Sequence, residues 1–156
     1  MMDPTQNLSQ RLAALETAEL TRNALTDYCF ALDSSDLDLL RQTFSDDIQL
    51  TLPDGQSVVG NAAVVTFFAD AITTPAEHRK HFVTNISIER SEAMSASGHC
   101  YFQSLLGQTG DFHLAWGRFN FVTRRDGDHV RIERFAMIVE QMPSPAFALS
   151  AIHGAA

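Results

Sequence analysis

The chain has 156 residues, 45% hydrophobic and 19% charged, with 19 acidic residues against 11 basic ones and a formal net charge of -8. That length and balance suit one globular domain, and the acidic excess is unsuited to nucleic acid or anionic lipid, which both require a basic face. The longest nearly apolar stretch, Ala62 to Ile72, is interrupted by Asp70 and falls short of the ~20 residues of a membrane helix.

The first residues, Met-Met-Asp-Pro-Thr-Gln-Asn, lack a basic region followed by an apolar core. Cys29 and Cys100 lie outside any CxxC pattern, so the expected setting is the cytoplasm, with both thiols reduced. In chain order, Ala18, Thr21, Leu25, Tyr28, Cys29 and Leu32 recur on one helical face and predict a helix over 18–32. Ser35 then reads as the N-cap of a short second helix carrying Leu37, Leu40 and Phe44. After Asp46-Asp47 the period drops to two: Ile48–Leu52 and Gln56–Val59 predict a hairpin around Pro53-Asp-Gly55. Asn61 caps a third helix through Ile72, stopped by Thr73-Thr-Pro75. Four long strands follow, His81–Glu89, Ala93–Leu106, Phe112–Arg125 and Val130–Gln141, with Asp126-Gly127 turning the last pair. Parity slips within those last two strands predict bulges or sharp bends in both.

The order ααββαββββ predicts an α+β fold, a strongly bent, mainly antiparallel sheet with the helices gathered on one face. Such a cone carries an apolar pocket in its mouth. The expected domain spans 1–156, with a core over about 8–141 and a tail, 142–156, whose Phe147, Leu149 and Ile152 expect a surface to pack on.

Several residues could carry chemistry. Asp33 sits at the predicted C-terminus of the first helix, where a negative charge opposes the dipole and asks for a partner; it reads as a paired acid or a solvated one. His81 opens the third strand and shares a period-two face with Val83 and Asn85, opposite Phe82, Thr84, Ile86 and Ile88. His99 and His113 lie on later strands, and each alone reads as structural or catalytic. Arg134 interrupts the even face Val130, Ile132, Ala136 and Ile138, and could bind a developing anion or pair with a carboxylate. Were Asp33 and a histidine to converge, the imidazole would serve as a general base near neutral pH while the carboxylate set its tautomer. That is elimination or isomerisation chemistry without metal or organic cofactor. A metal pair at His78 and His81 would need a helix where a strand is predicted. No Gly-rich phosphate loop or serine elbow is present, and Cys100 reads as a small inward core residue.

The run Asp33-Ser-Ser-Asp-Leu-Asp-Leu-Leu, with Phe44-Ser-Asp-Asp, Asp54-Gly, Gly60, His81-Phe-Val-Thr-Asn85, Arg125-Asp-Gly127 and Val130-Arg-Ile-Glu-Arg134, resembles the nuclear transport factor 2-like (SnoaL-like) superfamily. The resemblance spans about Leu8 to Gln141 and implies a cystatin-like half-barrel of mixed strands. Its nearest enzyme groups are scytalone dehydratase and hexachlorocyclohexane dehydrochlorinase. It implies catalytic roles for Asp33 and His81, with His99 as a second acid or substrate anchor. Tyr28, Asn85, Arg134 and Trp116 are then expected to contact the substrate, a small, largely apolar, aromatic or cyclic molecule. Leu32 and Leu52 stand where the dehydratase has water-holding tyrosines, and Tyr28 stands where the dehydrochlorinase has lysine, so neither substrate carries over. The resemblance also implies a homodimer or homotrimer paired through the sheet. The final strand and Arg79-Lys-His-Phe-Val-Thr-Asn also resemble the small (β) subunit of aromatic-ring-hydroxylating dioxygenases, which implies a non-catalytic scaffold as the alternative.

Overall fold

The computed structural model describes residues 4–72, 78–108 and 111–141; the predicted helix stop at 73–75 and the tail 142–156 lie outside them. The first helix, α1 (Pro4–Ser34), opens on a proline, whose missing N–H costs nothing in a first turn. It begins well before the predicted Ala18, and Leu8, Leu12 and Leu15 in those added turns are 56–69% exposed. Their i, i+4 and i+7 spacing is itself a helical stripe, so these early turns are legible in the sequence even though the leucines face outward. From Thr17 onward one face is buried. Its two threonines satisfy themselves by donating to carbonyls one turn back, Thr17 to Ala13 and Thr21 to Thr17. The Thr21 and Thr123 hydroxyls also meet at 2.8 Å, joining helix to sheet.

The end of α1 is a Schellman turn. Asp36 N–H donates to the Ala31 carbonyl and Ser35 N–H to that of Leu32, with Ser35 in the left-handed region at φ 57. Ser35 therefore terminates α1 rather than capping α2 (Leu37–Thr43). The cap is Asp36, whose carboxylate accepts from the N–H groups of Asp38 and Leu39.

Strands β1 (Phe44–Thr51) and β2 (Ser57–Val59) form the predicted hairpin, and α3 (Asn61–Ile72) follows. Then come β3 (His78–Ser91), β4 (Ser95–Gln108), β5 (Asp111–Asp126) and β6 (His129–Gln141). The sheet order is β2-β1-β6-β5-β4-β3. Among the described residues only β1 and β6 run parallel, so the sheet is mixed and mainly antiparallel, as expected. One core joins Leu25, Tyr28 and Leu32 of α1 and Val64, Val65 and Phe68 of α3 to Phe102, Phe119, Phe121, Ile132 and Phe135 of the sheet. Tyr28 is its hub: its ring meets those of Phe44, Phe68, Phe119 and Phe135 edge-on, the last at 5.1 Å.

Bulges decide which side chains face that core. In β6 the register against β5 skips Glu133 and Glu140, so inward parity passes from Val130 and Ile132 to Phe135, Met137 and Val139. The bulge expected in β5 is absent: its odd residues, Gly117, Phe119, Phe121 and Thr123, are all buried. Leu114 and Trp116 belong to the opposite face, which makes the sequence look as if parity slips. β3 carries two bulges that its sequence does not predict, the second of them between Ile88 and Arg90. Its register shifts between Thr84 and Ser87, where Asn85 takes φ 52, and inward parity passes from His81 and Val83 to Ile86 and Ile88.

Candidate active site

Asp33 lies on the last turn of α1, and the Schellman turn directs the chain away immediately after it. Its side chain is 10% exposed, and that of His81, arriving at the start of β3, is 17% exposed. One carboxylate oxygen, Asp33 Oδ1, lies 2.8 Å from His81 Nδ1 and accepts the backbone N–H of His81 at 3.0 Å. The other, Oδ2, is 3.7 Å from Lys80 Nζ. An acid at a helix C-terminus is disfavoured by about 0.3–1 kcal/mol. A hydrogen bond to a charged group contributes roughly 1.5–3 kcal/mol. Two such bonds outweigh the dipole, so the unfavourable placement is held by its partner.

With Nδ1–H donated to Asp33, the neutral imidazole keeps Nε2 unprotonated. Burial pushes the His81 pKa below its ordinary value of 6.5; Asp33 pulls it upward through hydrogen bond and charge, Arg79 pushes it down, and the net direction is downward. The ring therefore stays neutral near pH 7 and can accept a proton.

His81 opens onto a cavity of about 290 Å³. Its walls come from Tyr28 and Leu32 of α1, Phe67, Phe68, Ala71 and Ile72 of α3, and Arg79 beside His81. Phe102, Ser104 and Leu106 of β4, Ala115 and Phe119 of β5, and Met137 and Val139 of β6 complete it. The lining is apolar except for Tyr28, Arg79, His81 and Ser104. Arg79 is engaged at its edge, donating to the Ile72 carbonyl at 2.8 Å and to Ser35 Oγ at 3.3 Å. Tyr28 is buried, and desolvation, then Cys29 and Cys100, hold its phenol well above 10, so it remains a donor. Burial likewise pushes the Cys29 and Cys100 thiols up to about 12, which removes both as nucleophiles.

Of the expected site residues, the structure brings together Asp33, His81 and Tyr28. The other four lie elsewhere. His99 is next to the inward Cys100, so alternation turns it to the other sheet face, where it meets Glu89 at 2.9 Å. Asn85 is exposed on the β3 bulge, which ends its shared face with His81. Arg134 follows the Glu133 bulge and is exposed beside Gln49 and Asn120 on the outer face. Trp116 pairs with exposed Gln103 and lines an outer groove with Thr84 and Tyr101. His78 is exposed and His81 inward on β3, three residues apart. Among the described residues no three His, Cys, Asp or Glu side chains gather as a metal site requires. Ser104 was not anticipated, although an inward Cys100 implies inward Phe102 and Ser104 by alternation alone.

The sequence matches the SnoaL-like domain family over residues 13–136. No curated protein matches it. A scytalone dehydratase-like protein from Novosphingobium aromaticivorans superposes with a TM-score of 0.76 at 15% identity, covering 85% of this chain and 89% of its own. An aromatic ring hydroxylase-like protein from the same organism gives 0.73 at 24% identity, covering 83% and 94%. A hexachlorocyclohexane dehydrochlorinase from Novosphingobium barchaimii gives 0.74 at 14% identity, covering 86% and 93%. At these identities the likeness is one of fold. No helix among the described residues is long and apolar enough to cross a membrane.

Proposed function

The chain belongs to the SnoaL-like domain family, and from that premise we propose that it is a lyase or isomerase of small, largely apolar ring compounds, working without metal or organic cofactor. The observation that carries this reading is the 2.8 Å contact of Asp33 with His81 Nδ1 at the wall of an apolar cavity. His81 Nε2 takes a proton from an acidic C–H of the substrate, and the bonding pair becomes a new C=C bond. Asp33 holds the ring in place and stabilises the imidazolium. The imidazolium then returns the proton, either to a leaving group such as hydroxide, released as water, or to another carbon of the shifted double bond. The first outcome is elimination and the second isomerisation. The dehydratase-like and dehydrochlorinase neighbours share the fold and lend support to elimination.

A scaffold subunit has no need of a buried carboxylate-bound histidine facing a cavity, which is why we place catalysis ahead of that alternative. The test is turnover of a panel of cyclic alcohols, halides and β,γ-unsaturated compounds with an acidic C–H, repeated with His81→Ala. Loss of turnover in the variant supports the reading, and unchanged turnover refutes it.

A further inference from the structure

In the antiparallel ladder His81 stands directly opposite Ser104. Directly opposed side chains share a face, with Cβ atoms about 4.5–5.5 Å apart, so the Ser104 hydroxyl stands beside the imidazole on the cavity wall. Ser104 is 9% exposed and Tyr28 2% exposed, and both line the cavity. Among the described residues neither hydroxyl has a hydrogen-bond partner, and neither is sealed away from the cavity. A hydroxyl taken from water and left unpaired is costly. Two of them opening into one apolar space are donors awaiting an acceptor from the ligand.

We propose that Ser104 and Tyr28 are the specificity-determining residues of this cavity, and that its ligand is a one- or two-ring compound bearing a hydrogen-bond-accepting oxygen, of which a ring ketone is the simplest case. The inference rests on the cavity being the substrate site. The chemistry is complementary: two hydroxyl donors hold an oxygen, His81 Nε2 faces the hydrogen to be removed, and Phe67, Phe102, Phe119 and Met137 enclose the ring. A purely chlorinated hydrocarbon would leave both hydroxyls unpaired, so the site discriminates against it.

The test uses acetophenone and ethylbenzene, which differ by a carbonyl in place of a methylene. Binding to the wild type, Ser104→Ala, Tyr28→Phe and the double variant is followed by ligand-observed NMR, and the bound carbonyl stretch by infrared spectroscopy. The wild type is expected to bind acetophenone about tenfold more tightly than ethylbenzene, the worth of roughly one net hydrogen bond. Each single variant weakens acetophenone severalfold and moves its carbonyl stretch to higher frequency, while ethylbenzene binding stays constant and reports an intact cavity. Equal affinity for both probes, or a carbonyl stretch that neither variant moves, overturns this inference and leaves the His81 reading standing. Failure of both probes to bind overturns the inference and the substrate cavity together.

Discussion

A single oxygen of Asp33 receives both the backbone N–H and lies against the ring Nδ1 of His81, at 3.0 and 2.8 Å. The first bond fixes where β3 begins relative to the end of α1, and the second fixes the ring within that frame. Orientation of the base is thus built from the same atoms that join helix to sheet. Replacing His81 with Ala is expected to lower kcat/KM by about a hundred- to ten-thousand-fold, the usual contribution of a general base. Asp33→Asn, which keeps the shape and loses the charge, is expected to lower kcat with a smaller change in KM. Steady-state kinetics on a substrate from the panel separates these outcomes.

The downward shift of His81 sets a pH dependence of stability. An unfolded histidine titrates near 6.5, and the folded one lower. Between those two values the unfolded chain binds more protons, so stability falls as pH drops from about 6.5 toward the folded pKa, and this contribution levels off below it. Above 6.5 it is fully present. Thermal midpoints collected across this window should fall less steeply for His81→Gln than for the wild type.

His99 and Arg134 lie on the outer sheet face, away from the cavity. His99→Ala and Arg134→Ala are expected to leave kcat/KM within about twofold and stability within about 0.5 kcal/mol, as surface substitutions usually do. Kinetics and denaturant unfolding of the two variants check this, and a loss above tenfold in either would return that residue to the site.

Gly117 is pressed by the neighbouring strand. A Cβ there would lie 2.0 Å from the Ile138 carbonyl oxygen and 2.9 Å from the Phe102 ring. Backbone in a ladder cannot yield cheaply, so Gly117→Ala is expected to destabilise by about 1–3 kcal/mol. Urea unfolding measures it directly.

Ala115 faces Ser104 across β4 and β5 and lines the cavity. Ala115→Leu places three more carbons in that space, so ligand affinity is expected to fall at least about tenfold while the fold survives, since an unfilled cavity accepts added volume. Circular dichroism and ligand-observed NMR check the two halves of this statement.

The element order was legible because the hydrophobic period alternates between helical and two along the chain, although β1 begins at Phe44, a residue that reads from the sequence as part of the second helix. Asp33 and His81 each stand out at an element boundary, but their pairing was only implied by the family resemblance, since it depends on how the end of α1 meets the start of β3. Asn85 and Arg134 depended on strand parity, which single-residue bulges alter, whereas Trp116, on the unbulged β5, lies on the outward face opposite Phe119 and Phe121. The skip at Glu133 replaces the even face of β6 with Phe135, Met137 and Val139. The shift beside Asn85 does the same in β3. No residue type announces either bulge. His99 is different: Cys100 reads as inward from the sequence, and neighbours on a strand cannot share a face, so the sequence itself turns His99 outward. The same alternation leads to Ser104, while its place opposite His81 depends on the hairpin register.

The most direct measurement is an NMR pH titration of the His81 ring in the wild type and in Asp33→Asn. With Asp33 present the neutral ring should carry its proton on Nδ1 and titrate below 6.5. Removing the carboxylate takes away the influence that raises the pKa, so the variant should titrate lower still. A wild-type midpoint at or above 6.5, or one that Asp33→Asn leaves unmoved, would contradict the assignment of Asp33 and His81 as an acid–base pair.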